Sequence, residues 1–343
     1  MKTAILNVTG YAGAELARLL HNHPEIELTS VTGRSAQGQK LGEVFPHLSD
    51  IDLTVEAEPD GEEMVFSALP HKSSGERVVP LLEVGARVVD LSADFRLRSP
   101  AEYEEWYKTP HASATLQEEA VYGLTELYRS EIEAARLVAN PGCYPTSAIL
   151  ALAPLIKERL VAPTIIVDSK SGVSGAGRGL SLNTHFSEVN ENVKAYGIDG
   201  HRHLPEIVQE VALLDPSLGA QVTFLPHLIP MTRGILSTCY ATLSGSSISV
   251  DTKGREKLTG LYREFYEREP FVRVVETPPQ TKQTWGNNYC LVYPTLDLRT
   301  GRVIVVSCID NLVKGAAGQA IQNMNVMAGY PEETGLESLA LFP

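Results

Sequence analysis

The opening of the chain leaves it few folds to adopt. Lys2 to Val8 is a short apolar run that reads as a buried strand, and Thr9-Gly10-Tyr11-Ala12-Gly13 reads as a turn. Ala14 to Asn22 then sets Leu16, Leu19 and Leu20 on one helical face, and Ile26 to Thr32 is a second strand. Two strands joined through a helix lie parallel, and parallel sheets are covered on both faces. The pattern continues. Met64 to Leu69 and Arg87 to Leu91 are short apolar strands with a helical run, Ser73 to Val84, between them, and Arg136 to Ala139 is a further strand. Alternating strands and helices predict an α/β, doubly wound parallel sheet of Rossmann type.

The later half has a different character. Thr164 to Asp168 reads as a strand, followed by a Gly- and Ser-rich loop from Ser169 to Arg178. Gln221 to Phe224, Gly234 to Leu243, Phe271 to Val275, Tyr289 to Tyr293 and Arg302 to Cys308 read as strands with fewer helices between them, predicting an α+β domain with a mixed sheet. Val313 to Met327 reads as a last helix whose small residues, Gly315 to Gly318 and Ala320, allow close packing back on the first domain. A chain of 343 residues exceeds one ordinary core. The expected division is 1–141, completed by 312–343, against 142–311, with the boundary near Gly142 as a candidate active-site seam.

A net charge of −13 argues against a nucleic-acid surface or a polybasic membrane anchor. The four cysteines, Cys143, Cys239, Cys290 and Cys308, form no CxxC pair and no metal spacing. No signal-peptide pattern or transmembrane-length run is present, so a reducing cytoplasm is the expected location.

Three segments carry chemistry. The Thr9-Gly10-Tyr11-Ala12-Gly13 turn is a candidate pyrophosphate cradle at a helix N-terminus, although Asn7 stands where a first glycine is expected. Arg34 and Ser35 follow the second strand where an NAD site carries an acid; a cation and a hydroxyl suit a 2′-phosphate, so NADP is the expected cofactor. Asn140-Pro141-Gly142-Cys143-Tyr144-Pro145-Thr146 puts a cysteine in a tight turn before an apolar run from Ser147 to Leu160, with Pro145 suited to a first helical turn and Pro154 a candidate kink. Free N–H groups and the helix dipole there favour a thiolate. Gly200-His201-Arg202-His203-Leu204-Pro205-Glu206-Ile207 supplies imidazoles that such a nucleophile needs; a third ligand is lacking, so no metal is expected. Arg96, after a core strand at an expected sheet edge, suits an anion or a plain salt bridge. A thiol, an imidazole and a nicotinamide-type cradle fit two reactions, aldehyde oxidation or acyl-phosphate reduction.

These segments, together with Ala68-Leu69-Pro70-His71, Asp90 to Arg96, Lys170 to Arg178, His185 to Asn192, Pro226 to Gly234 and Asp310 to Gln319, resemble the N-acetyl-γ-glutamyl-phosphate reductases of the aspartate-semialdehyde dehydrogenase-like group over nearly the whole chain. The resemblance implies an NADPH-dependent reduction through a Cys143 thioester in arginine biosynthesis, with His201 or His203 as acid/base. It implies Arg96, Arg178, Arg202 and Glu206 on the substrate, and Thr9, Gly10, Tyr11, Ala12, Gly13, Arg34, Ser35, Ser171, Gly172 and Asn311 on NADP. It also implies a catalytic and dimerisation role for the second domain and a homodimer or homotetramer. The departures are Asn7 and Asn287, the latter where a smaller residue is usual. The alternatives are a lysine-pathway reductase whose substrate rides on an acidic carrier protein, its cysteine turn unlike this one, and an NADP-sensing module without chemistry.

Overall fold

The computed structural model describes residues 1–245 and 247–343. The chain forms two units, Met1–Gly142 with Ala316–Ser338, and Cys143–Gly315 with Leu339–Pro343.

The first unit holds β1 (Lys2–Leu6), α1 (Tyr11–Leu20), β2 (Glu27–Thr32), α2 (Leu41–Val44), β3 (Val55–Glu56), β4 (Met64–Ser67), α3 (Ser74–Glu83) and β5 (Arg87–Asp90). It continues with α4 (Pro100–Tyr107), α5 (Ala114–Glu119), β6 (Val121–Tyr122), α6 (Thr125–Ala134) and β7 (Leu137–Ala139). All seven strands are parallel, in the order β3-β2-β1-β4-β5-β7-β6. Ala4, Ile5, Val65, Phe66, Val88 and Val89 are fully buried, as strands covered on both faces must be. The strand order reverses between β1 and β4, and the crevice at their carboxyl ends is where such sheets bind ligands. β5 lies between β4 and β7, so Arg96 follows an interior strand and not a sheet edge. α4 and α5 escaped the periodicity reading because eight and six residues are too few to show a helical period; side-chain caps start both, Ser99 Oγ accepting from Glu102 N and Ser113 Oγ from Leu116 N.

The second unit holds α7 (Cys143–Lys157), β8 (Val161–Ser171), α8 (Phe186–Val189), β9 (Lys194–Ala195), α9 (Leu204–Leu214), β10 (Gln221–Leu228), β11 (Ile235–Leu243), α10 (Thr252–Phe265), β12 (Val272–Val274), β13 (Cys290–Asp297) and β14 (Arg302–Ile309). Its sheet, ordered β12-β13-β14-β11-β8-β10-β9, is mixed: β8–β10 and β12–β13 are parallel and the other pairs antiparallel. Ser169 to Ser171, read from sequence as loop, continue β8. Their backbone is paired on both sides, with Pro226–Leu228 and with Ile235–Ser237, and these ladders outweigh the turn propensity of serine. Burial alternates along β8, β11, β13 and β14: Ile165, Val167, Cys239, Val292 and Val305 face the core, while Ile166, Leu236, Tyr240, Tyr293, Ile304 and Val306 keep exposure. α7, α9 and α10 pack on this sheet. Four buried serines join α7 to three strands: Ser147 Oγ lies 3.0 Å from Ser237 Oγ and 2.6 Å from Ser307 Oγ, and Ser237 Oγ lies 2.7 Å from Ser169 Oγ.

α7 begins at Cys143 itself and runs through Pro154 to Lys157, stopping before Leu160 because Arg159 turns left-handed at φ 53°. After β14 a wide turn, Val313–Ala317, leads into α11 (Gly318–Ala328), which packs on α6, α1 and β5 of the first unit. Among the described residues no helix is long and apolar enough to cross a membrane.

Candidate active site

In the first unit the cradle forms from the end of β1. Helix α1 starts at Tyr11, three residues before the sequence reading placed it, because Gly10 is extended at ψ 164° and acts as the N-cap. Tyr11, Ala12 and Gly13 therefore form its first turn, with no side-chain cap and no acid among them, so the turn is open to an anion. Asn7 takes φ 63°, a conformation Asn tolerates best after Gly, and its Nδ2 donates to Ala68 O at 2.9 Å across to the end of β4. The side chain thus does what a glycine there could not. Gly13 admits nothing larger: a Cβ would lie 2.3 Å from Asn7 O, so helix and strand meet there at backbone distance. Next to the cradle lies a cavity of about 600 Å³ lined by Asn7, Thr9, Gly33, Arg34 and Ser35, and also by Gln37, Glu58, Glu76 and Arg77, which sequence reading did not single out. Ser35 Oγ donates to Thr9 Oγ1 at 3.4 Å. Arg34 is exposed and makes no hydrogen bond or ion pair with the described residues. An open helix terminus beside a roomy cavity with a free cation fits a phosphorylated dinucleotide.

Arg96 belongs to the same unit. It is 8% exposed, and its Nε donates to Asn140 O at 2.8 Å and its Nη2 to Leu91 O at 2.7 Å. Those bonds fix the strand end that leads to Gly142.

In the second unit Cys143 is half-buried at the first residue of α7. The other cysteines are buried, and burial pushes the thiols of Cys239 and Cys308 up to about 12. A thiol at that value is inert at neutral pH. Gly315 packs directly on Cys143, where a Cβ would sit 2.8 Å from Cys143 Cβ. The two candidate imidazoles gather on the next residue of α7. The Tyr144 ring lies 5.7 Å from His201 and 5.9 Å from His203, which are themselves 4.9 Å apart, all edge-on. The His203 backbone N–H donates to His201 Nδ1 at 3.1 Å, so the neutral His201 ring carries its proton on Nε2. Burial, with the Arg202 charge adding, lowers His201 to about 4. Sequence reading also passed over Tyr196. Its hydroxyl lies 3.0 Å from that of Tyr144, its ring 5.4 Å from His201, and burial, with the Cys143 charge adding, pushes it up to about 12. Tyr144 follows the cysteine directly and was legible in the motif; Tyr196 carried no local signal.

His203 is the N-cap of α9, with Pro205 in its first turn, and Glu206 is 1% exposed there. Arg178 and Arg202 are exposed. Asn311 ties two loops together: its Oδ1 accepts from Gly234 N at 2.7 Å and its Nδ2 donates to Ser174 Oγ at 2.9 Å. Gly172 N in turn donates to Gly234 O at 2.9 Å, and Ser171 is buried beside it. The adjoining Asp310, fully buried, accepts from Leu312 N and Val313 N, from Gly286 N, and from Arg233 Nη1 at 3.3 Å. It holds the turn that carries Gly315 to Cys143. Among the described residues no group of three or more His, Cys, Asp or Glu is arranged to hold a metal ion.

Residues 2–135 match the semialdehyde dehydrogenase NAD-binding domain, and residues 143–311 match the semialdehyde dehydrogenase dimerisation domain. An N-acetyl-gamma-glutamyl-phosphate reductase of Dehalococcoides mccartyi (strain CBDB1) is 54% identical over 100% of this chain and 99% of its own length. One of Geotalea daltonii is 53% identical over the whole of both. Among solved structures, aspartate semialdehyde dehydrogenase II of Vibrio cholerae, complexed with ASA, superposes with a TM-score of 0.71 at 16% identity over 96% of this chain and 98% of that one. The Candida albicans aspartate semialdehyde dehydrogenase with NADP does so at 0.67 and 17% identity, over 95% and 98%. These two share the fold. With relatives this similar over its full length, the chain belongs to the N-acetyl-γ-glutamyl-phosphate reductases of the semialdehyde dehydrogenase family.

Proposed function

We propose that this chain reduces N-acetyl-γ-glutamyl phosphate with NADPH to N-acetylglutamate 5-semialdehyde and phosphate, a step of arginine biosynthesis. The observation that carries the reading is Cys143 opening α7 with two imidazoles set edge-on to the adjoining Tyr144. Cys143 Sγ attacks the acyl carbon, the C–O bond to phosphate breaks, and phosphate leaves with the electron pair, giving a thioester. NADPH, held by the Thr9–Gly13 turn with Arg34 and Ser35 on its 2′-phosphate, would supply the hydride that reduces this thioester. The oxyanion left on the thioester carbon then collapses to aldehyde and returns the Cys143 thiolate. His201, neutral with its proton on Nε2, is suited to donate a hydrogen bond to that oxyanion. His203 is then the imidazole that takes the thiol proton. Arg178 and Arg202 bind the anionic ends of the substrate, Asn311 positions the loops that carry Gly234 and Ser174, Arg96 fixes the strand end before Gly142, and buried Glu206 steadies the imidazole segment.

We place self-association on the half-open face of the second sheet, where Ile166, Leu236, Tyr240, Tyr293, Ile304 and Val306 line up. A sheet face of this composition calls for cover, and a second copy of the chain supplies it.

The test is phosphate-dependent reduction of NADP with N-acetylglutamate semialdehyde, set beside aspartate and glutamate semialdehydes. The acetylated substrate is expected to win on kcat/KM by orders of magnitude. Equal rates with aspartate semialdehyde would refute the assignment.

A further inference from the structure

The cavity beside the cradle has an ion pair in its wall. Arg77, in the first half of α3, reaches Glu58, just past β3, with a two-pronged fork: Nη1 donates to Oε1 at 2.8 Å and Nη2 to Oε2. The side chains are 33% and 64% exposed, so the pair contributes little to stability. Its place in the cavity gives it another use. The charged lining residues are Arg34, Arg77, Glu58 and Glu76, two cations against two carboxylates. The whole chain carries −13, so its general field repels a phosphorylated ligand and local compensation decides whether one enters. Without Arg77 the lining would carry a net negative charge, and Glu58 would face the cavity uncompensated. That carboxylate is of the type that accepts from a ribose 2′-OH and repels a 2′-phosphate.

We infer that Arg77 is a specificity-determining residue for the cofactor: by pairing with Glu58 it cancels a carboxylate that would otherwise select against a 2′-phosphate. Arg34 supplies the direct attraction; Arg77 removes the opposing charge. This inference rests on the reading of the cavity as the NADP site and adds the residue that tunes the choice.

The experiment is fluorescence titration of the full-length protein with NADPH and with NADH, for the parent, Arg77→Gln, Glu58→Gln and the double variant, at low and raised salt. Arg77→Gln is expected to weaken NADPH about tenfold relative to NADH, of the order expected when one unit charge lining a watery cavity is left uncompensated against a dianion. The loss should shrink at raised salt. Glu58→Gln should bind NADPH at least as tightly as the parent, and the double variant should recover to within about threefold of it. Tm should stay unchanged in all three, as expected for an exposed pair. Equal weakening of NADPH and NADH by Arg77→Gln would overturn the inference, and so would a double variant as weak as the single one. Failure of the parent to bind either nucleotide would instead overturn the cofactor reading beneath it.

Discussion

Gly315→Ala tests how Cys143, the proposed nucleophile, is held. The added Cβ would lie 2.8 Å from Cys143 Cβ, 3.3 Å from Cys143 Cα and 3.3 Å from Asp310 O. Ordinary carbon contacts begin near 3.4 Å, so the turn and the start of α7 must separate by roughly 0.6–1 Å. Neither side yields easily. The turn is pinned by Asp310, which accepts from Leu312 N and Val313 N, and the residues of α7 after Cys143 are buried. Overpacking of this kind costs about 1–3 kcal/mol, or a Tm drop of about 2–4 °C per kcal/mol where the unfolding unit is about 150–250 residues. The catalytic cost is larger in proportion, because a misplacement near 1 Å can lose about 10²-fold in rate. The expected result is kcat down about 10- to 100-fold with NADPH affinity intact. Steady-state kinetics, a NADPH titration and a thermal melt measure all three. Gly260→Ala is the control: nothing lies within 4 Å of its Cβ position on α10, so it should leave kcat alone and stabilise slightly. A Gly315→Ala enzyme with kcat within about threefold of the parent would refute the idea that this contact sets the position of Cys143.

Cys143→Ser should cut turnover by more than about 10³-fold while leaving NADPH binding unchanged, read by stopped-flow turnover and fluorescence titration. His201→Asn should lower kcat with little change in cofactor affinity, and it should also alter the acid limb of stability. The folded pKa near 4 lies below the unfolded 6.5, so the unfolded chain binds the extra proton between those values and stability is lost as pH falls through that window. The asparagine variant should therefore lose less stability than the parent between pH 6.5 and 4, by up to about 3 kcal/mol in urea melts at the two pH values. Val306→Lys, in the middle of the half-open sheet face, should convert the assembly to monomers in analytical ultracentrifugation while α7 and its serine contacts stay intact.

The parallel sheet of the first unit was legible because its strands are short apolar runs separated by helices of clear period, as in Met64–Ser67 and Arg87–Asp90. The mixed sheet was legible from alternation along stretches such as Ile235–Leu243. Boundaries were less so. Gly10 and Gly13 marked a turn in the sequence, yet only Gly10 lies outside the helix, and a glycine needed for close approach cannot be told by type from one needed for a bend. Of the site, Cys143 and the histidine segment were visible because proline and glycine punctuate them. Glu58 with Arg77, Asp310 with Arg233, and Tyr144 with Tyr196 were not, since each pair is distant in sequence and no local pattern links its members.

The serine cluster beneath α7 bears on how precisely the helix can be seated. Apolar side chains between a helix and a sheet tolerate small slips along the axis, because one methyl contact exchanges for another at little cost. Hydroxyls do not, since displacement strands a buried donor or acceptor. Ser147 engages Ser237 and Ser307 together, and Ser307 also donates to Ser147 O at 2.9 Å, so a single seating of α7 satisfies β8, β11 and β14 at once. Replacing all four serines with alanine could leave the fold as stable as before, yet it would remove the detent that stops the helix from sliding. The Cys143 sulfur, one turn up and the proposed nucleophile, would then be set by a shallow well instead of a steep one.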